Sequence, residues 1–391
     1  MSKVPAGWII APISNICESI IDCVNKTAPV VDFKTPYKMI RTTNVRHGRV
    51  DTEHVRYVTK DTFDTWTRRG APQNGDIILT REAPVGEAGI LKNADGIFLG
   101  QRTIMYRVNK MKANNYFILY SILGKFCQKQ IENFSNGGTV AHMRVPDCEE
   151  ILLKVPPLPE QTKIAQILST WDKVIATTEK LIGNSQQQKK SLMQSLLTGK
   201  KRLPGFEGEW NVVSVESVCN IGRGRVISKG DIRENSGCFP VYSSQTSNDG
   251  IFGYINTFDF EGEYVTWTTD GIYAGSVFYR AGRFNCTNVC GVLSPKSNNL
   301  NLKYLSFALS IKAYKYVSHT LANPKLMNGV MGAIVFPHPQ LPEQQKIAQI
   351  LTAADNEIEL LQKKLAFLKQ EKAALMQQLL TGKRRVKVEA A

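Results

Sequence analysis

The 391-residue sequence is short of acid and poor in histidine: 34 Asp and Glu stand against 49 Lys and Arg, with five His, for a formal net charge of +15. A surplus of that size favours a polyanionic partner, either nucleic acid or an anionic membrane face. Membrane is the weaker option. No run of about 18 apolar residues is present, and the opening MSKVPAGWII lacks the apolar core and small cleavage residues of a leader, so a cytoplasmic chain is expected. His47, His54, His142, His319 and His338 form no ligand pair at helical spacing. The eight cysteines are scattered, and the tightest pair, Cys286 and Cys290, has no second pair or spaced His to complete a zinc set. They read as buried thiols of a reducing compartment, and no metal is expected.

Catalytic motifs are missing too. A phosphate loop needs Gly five residues before its Gly-Lys, yet Gln194 precedes Gly199-Lys200 and Gln377 precedes Gly382-Lys383. Adenine amino-methylation calls for an Asn/Asp-Pro-Pro-aromatic run, but Asn323-Pro324 is followed by Lys325 and Leu326. IGRGR at Ile221 lacks the third glycine and the preceding strand of a dinucleotide loop. Asp76 and Glu82 are spaced suggestively for a metal nuclease, but Ala83 and Pro84 follow where a lysine would stand. No enzyme is expected and no cofactor bound by this chain.

The strongest positive feature is a repeat. LPEQTKIAQIL at 158–168 returns as LPEQQKIAQIL at 341–351, and LMQSLLTGKKR at 192–202 returns as LMQQLLTGKRR at 375–385, both at an offset of 183. Equal offsets at both ends leave no net insertion, as a helix of fixed length requires, since one added residue rotates everything beyond it by about 100°. Pro159 and Pro342 suit a first helical turn, Glu160 and Glu343 suit its positive end, and Gly199 and Gly382 are stop signals. Each copy predicts a helix of about 38 residues, roughly 57 Å long. Ile347, Leu351, Ala354, Ile358, Leu361, Leu365 and Leu368 step by threes and fours, and Leu375 and Leu379 follow one heptad on, the seam of a coiled coil. The first copy keeps Ile164, Leu168, Trp171, Ile175, Ile182, Leu192 and Leu196 but sets Thr178, Ser185 and Lys189 on the same seam. Packing the two against each other in antiparallel fashion is the simplest arrangement, and it carries the preceding domains to opposite ends.

Before each helix lies a longer irregular segment, 1–157 and 203–340. Each has an early tryptophan (Trp8, Trp210), mixed strands and turns, a short helix (116–131; 302–310) and a Pro-rich approach to the long helix. EYVTWT at 263–268 and GDIILTRE at 75–82 alternate as strands do. Lys and Arg outnumber Asp and Glu by 21 to 15 in 1–157, 8 to 3 in 158–202, 11 to 10 in 203–340 and 9 to 6 in 341–391. The excess is spread over folded segments, so a disordered basic arm is not its source.

The helix starts and ends, with the RLPGFEGEW junction at 202–210, closely resemble type I restriction specificity subunits, and TREAPVGEAG at 80–89 and YVTWTTDG at 264–271 look like segments of that family's target-recognition domains. The resemblance implies an α+β chain with two mixed α/β target-recognition domains, 1–157 and 203–340. They would be separated by a long antiparallel coiled coil of 158–202 and 341–385, a pseudo-twofold repeat with a tail at 386–391. It implies a non-catalytic subunit that reads a split, asymmetric site in double-stranded DNA, one half per domain, with the helices fixing the spacing. Partners would be two modification subunits, which carry S-adenosylmethionine and methylate adenine, and restriction subunits, which use ATP and Mg. Two unlike readers on one chain give an asymmetric site, where a homodimer gives a palindrome.

Candidate DNA contacts in the first domain are Lys38, Arg41, Asn44, Arg46, His47 and Arg49, a cluster suited to phosphates and purine edges. Arg68, Arg69, Arg81 and, in the loop at 135–144, Thr139, His142 and Arg144 follow them. In the second domain they are Arg223, Arg225, Tyr242, Ser243, Ser244, Gln245, Trp267 and Lys325; the Tyr242 to Gln245 run also reads as an ordinary polar turn, and Trp267 as core. Glu160, Gln161, Arg202, Gln344 and Arg385 are candidates for contact with the modification subunits. Two other classes compete: a scaffold built on the coiled coil, which leaves the charge without a partner, and a nuclease or methyltransferase in its own right.

Overall fold

The structure, a computed structural model, describes residues 4–135, 141–319 and 323–388. The chain divides into two compact units, Met1–Glu179 with Lys364–Ala391 and Lys180–Lys363. The divides fall inside the two long helices, Leu158–Leu196 and Leu341–Leu379, so each unit owns half of each helix. Both helices have 39 residues, close to the expected length.

In the first unit a six-stranded sheet runs Cys17–Asp22, Thr103–Val108, Ile77–Arg81, Val85–Ile90, Gly48–Val50, Val45–Arg46. Ile77–Arg81 is buried at every position, which explains its run of Ile-Ile-Leu rather than strict alternation. A three-stranded sheet and an antiparallel pair, Ile9–Pro12 with Leu152–Val155, complete the unit. The helix expected over 116–131 is two, Asn115–Leu123 and Lys125–Ser135, because the chain turns extended at Gly124 (φ −76°, ψ 151°). There Gln128 Nε2 donates to Ile122 O at 2.9 Å, and a Cβ on Gly124 would lie 3.2 Å from Leu380.

The second unit repeats the plan: a six-stranded sheet in the order Cys219–Arg223, Cys290–Pro295, Phe260–Thr268, Val277–Cys286, Ser236–Tyr242, Ile251–Ile255, and a pair of Asn211–Ser214 with Val335–His338. Its helix Leu302–Ser310 begins at Asn301, whose side chain accepts from Tyr304 N, as Asn114 does from Tyr116 N and Phe117 N in the first unit.

Each core draws in both long helices. Ile164 and Leu168, from the start of the first, and Leu379 and Leu380, at and just beyond the end of the second, pack with Tyr106, Phe117 and Ile118 in the first unit. Ile347 and Leu351 join Leu196, Leu197, Trp267 and Tyr304 in the second. The pairing is antiparallel in both. Lys372 contacts Asp172 at 2.6 Å and Lys369 contacts Glu179 at 2.9 Å in the first unit, while Lys189 contacts Asp355 and Ser185 contacts Glu357 in the second. The polar seam residues Ser185 and Lys189 thus meet acids across the pair, and Thr178 is buried with its hydroxyl on Val174 O at 2.9 Å. Cys127, Cys148 and Cys219 are buried thiols, each pushed up to about 12 by burial.

Candidate nucleic-acid interface

The third strand of each six-stranded sheet ends in a loop that the two units build alike. In the first unit Met143 N donates to Arg81 O at 2.9 Å and Glu82 bridges to His142. In the second Leu326 N donates to Thr269 O at 2.8 Å and Asp270 bridges to Lys325. His142 and Lys325 stand at the same offset of 183 as the long helices, so the repeat reaches back to this return segment. A side chain fastens it in both: Arg81 donates to Met143 O at 3.0 Å, and Trp267 Nε1 to Leu326 O at 2.9 Å.

The acid in each loop holds two half-exposed basic side chains, Arg102 and His142 in the first unit and Arg223 and Lys325 in the second. Glu82 pairs with Arg102 at 2.7 Å and faces His142 at 3.5 Å; Asp270 pairs with Arg223 at 3.1 Å and Lys325 at 3.4 Å. An acid placed so fixes the direction of a long cationic side chain without using all its donors, which leaves N–H groups for a phosphate or a base edge. Arg102, in the left-handed region at φ 67°, also lines a cleft of about 390 Å³ with Arg41, Arg56, Gln101, Thr27 and Thr42. Arg41 keeps a buried Nε that meets no hydrogen-bond partner.

Arg41 is therefore brought to Arg102 in the cleft, His142 to Arg102 through their shared Glu82, and Arg223 to Lys325 through Asp270. Arg56 and Arg102 were missed by sequence reasoning: each lies outside the cluster at 38–49, and only folding joins them to Arg41. His47 and Arg49 are exposed on the edge hairpin, away from the lining of that cleft, and Lys38 is half-buried in Lys38–Ile40. Arg68 and Arg69 are exposed beyond the helix Lys60–Trp66, Arg69 reaching Cys23 O at 3.4 Å. Arg144 pairs with Asp147 at 2.8 Å, and that partner holds the Asp147 carboxyl below its usual value. Thr139 lies outside the described residues.

Several candidates need correction, because burial or contacts inside the fold engage part or all of their polar groups. Asn44 is 5% exposed; its Oδ1 accepts from Arg41 N at 2.9 Å and its Nδ2 donates to His54 O at 2.8 Å. Arg46 donates to Thr42 O and Val45 O. Arg81 is buried against Asp22 at 2.9 Å, and Trp267 is core. Tyr242 lies under Arg280, whose guanidinium carbon is 3.7 Å from the ring centroid, Ser243 accepts from Thr287, Gln245 folds back onto Ile251 O, and Ser244 is half-buried beside them. Tyr242, Ser243 and Gln245 thus each have a partner inside the unit. Arg225 stays half-exposed on Asp259 at 2.9 Å.

The candidates for partner contact are corrected more completely. Glu160, Gln161 and Gln344 are 2%, 1% and 0% exposed. Glu160 takes both arms of Arg385, at 2.7 and 2.8 Å, and the Trp8 indole N–H at 3.1 Å. Glu343 takes both arms of Arg202, at 2.8 and 2.9 Å, and the Trp210 N–H at 2.9 Å. Gln161 accepts from Asn114 N and donates to Pro156 O, and Gln344 accepts from Asn301 N and donates to Pro339 O. The repeated Pro-Glu-Gln and the repeated basic end are thus two halves of one internal clamp, and Glu343 is a member that sequence reasoning left out.

No cluster of three or more His, Cys, Asp or Glu suited to a metal occurs among the described residues, and none of their helices is long and apolar enough to cross a membrane. Comparison with known proteins gives a consistent answer. A family model described as the type I restriction modification DNA specificity domain matches residues 5–184 and again 207–370. The chain is 43% identical over 206 residues to S.MpnORF615P of Mycoplasma pneumoniae, named for a type I specificity subunit, covering 52% of this chain and 81% of that one. It is 47% identical over 153 residues to the MpnII type I restriction enzyme specificity subunit of the same organism, covering 39% and 46%. Among solved structures, an S subunit of a type I restriction-modification system from M. genitalium superposes with a TM-score of 0.65 at 18% identity, over 97% of each chain, a likeness of fold.

Proposed function

The chain belongs to the type I restriction modification DNA specificity family, and on that premise we propose that each unit reads one half of a split, asymmetric double-stranded DNA site. It is a specificity subunit and does no chemistry itself. Two modification subunits, carrying S-adenosylmethionine for adenine methylation, and restriction subunits, carrying ATP and Mg, dock on it in the cytoplasm. The two long helices set the number of unread base pairs between the halves. Candidate readers are Arg41, Arg56, Arg102 and His142 in the first unit and Arg223 and Lys325 in the second; Lys38, His47, Arg49, Arg68, Arg69, Arg144, Thr139 and Arg225 are supporting contacts. Arg202 and Arg385, part-exposed on Glu343 and Glu160, remain candidates for contact with the modification subunits, second to their place in the clamps.

The observation that carries this reading is the twofold occurrence of one device, a loop acid holding two half-exposed basic side chains that differ between the units, Arg102 with His142 and Arg223 with Lys325. Equal architecture with unlike side chains is what two independent readers of unlike half-sites require. Methylome sequencing of cells that express the chain with its cognate modification subunit tests it. The expected result is a split, non-palindromic motif methylated on adenine; a contiguous or palindromic motif overturns it.

A further inference from the structure

The loop after Phe260–Thr268 carries side chains that the folded unit does not use. Gly271 and Gly275 sit at φ 93° and 85°, and the turn between them is fastened by Gly271 N to Pro324 O, Ala274 N to Gly271 O and Gly275 N to Thr268 O, each 2.9 Å. Ala274 is tucked in, and a Cβ on Gly275 would meet Val317 at 2.9 Å and the Tyr314 backbone at 3.3 Å. This rigid turn presents Ile272, 78% exposed, and Tyr273, 44% exposed. Tyr314 and Tyr316, on the segment packed behind it, are 66% and 43% exposed. Arg223 and Lys325 stand at the root of the same loop, on Asp270. In the first unit the matching turn exposes only Ala83 and Pro84, while Val85 joins the core.

An exposed isoleucine on a flexible tip is unremarkable. One held by three backbone hydrogen bonds, next to three exposed tyrosines and two aimed cations, has been given a fixed direction without contributing to the core. Phosphate-binding cations flanking a rigid apolar tip match the surface of duplex DNA, where charge lies at the backbone and apolar surface at base faces and thymine methyls. The chain's net charge of +15 favours a polyanion over a protein surface as the counterpart of Arg223 and Lys325.

We propose that Ile272 and Tyr273 make the apolar base contact of the second unit and so determine part of its half-site, a proposal that rests on the DNA-reading role above. Among the described residues, the matching turn of the first unit, Ala83-Pro84, presents no large apolar side chain.

The test measures binding of the chain, assembled with its modification subunits, to its methylated motif and to unrelated duplex. Ile272→Ala and Ile272→Ala/Tyr273→Ala should bind the motif about 10- to 100-fold more weakly while binding unrelated duplex unchanged. Ile272→Lys should bind unrelated duplex at least as well as the parent and still lose its preference for the motif. Replacing thymine by uracil, or a purine by 2-aminopurine, along the half-site separates a methyl contact from insertion between bases. Equal weakening on both duplexes, no weakening on either, or relaxed sequence preference in the other half-site overturns the proposal. A parent chain that shows no split motif at all overturns instead the role on which it rests.

Discussion

When one partner of an ion pair is buried and the other half-exposed, breaking the pair costs most on the buried side. In the clamp of the second unit the Glu343 side chain is 3% exposed and that of Arg202 29%, so Arg202→Ala strands a buried carboxylate that only the Trp210 indole still serves. Arg202→Ala should lower stability by about 2–4 kcal/mol, read from urea unfolding, and Arg202→Ala/Glu343→Gln by less than the sum of the single changes. Unchanged stability with weaker partner binding would make docking, and not the clamp, the first role of Arg202. Arg102 is a milder case: its acid, Glu82, keeps 14% exposure and still faces His142, so Arg102→Ala should cost the fold little. It should weaken binding to any duplex and flatten the log-log salt slope by about one unit. His338 lies between. Burial lowers its pKa from the usual 6.5, so the unfolded chain binds its proton more readily. The stability of the second unit should be full above that value and fall as pH drops through 6.5 toward the lowered folded pKa. His338→Gln should flatten that part of a melting-temperature profile; a slope that persists would assign it to another group.

The long helices were legible because their constraint is periodic. Every seam position from Ile347 to Leu379 is at least half-buried, while Leu360 and Phe367, off the seam, are exposed. Burial of one face needs residue type at regular spacing, and that is visible in one dimension. Adding one residue after Gly183 in the first helix should destabilise the chain, since it turns Ser185, Lys189 and Leu192 about 100° off the seam. Adding seven to both helices at matching positions should keep the seam and lengthen each rod by about 10 Å, moving the methylated halves apart by about three base pairs in the methylome. An unchanged spacer would remove the helices from that role. The clamps were not legible. Glu160 and Arg385 look like exposed helix-end charges in sequence, and only antiparallel pairing brings a start of one helix onto an end of the other. The break at Gly124 was hidden for a similar reason: apolar residues continue across it, and the close approach of Leu380 to that glycine comes from the far end of the chain. The same holds for Arg102, whose neighbours Arg41 and Arg56 lie some 50 residues away.

At the scale of the whole chain, sequence divergence and structural repetition carry different information. The 183-residue offset is kept by the helix starts, the helix ends and the return segment at His142 and Lys325, all of which close clamps, seams or loop roots. It is not kept by the side chains those roots display, Arg102 in one unit and Arg223 with Ile272 in the other. Parts that hold the frame repeat, and parts that face outward do not. Each unit has its own core and its own cation-holding acid, so the two readings should be separable. Exchanging residues 203–340 for the equivalent segment of a relative should change one half of the methylated motif and leave the other half and the spacer as they were. Exchanging 1–157 should do the converse. Because the helix halves that enter each core stay native, the contacts of Ile347 and Leu351 with the new segment are the ones at risk, and a donor that keeps apolar residues at the places of Trp267, Tyr304 and Phe336 should fold. A change in both halves after either exchange would mean that the units share one reading surface, and independent recognition would then be wrong.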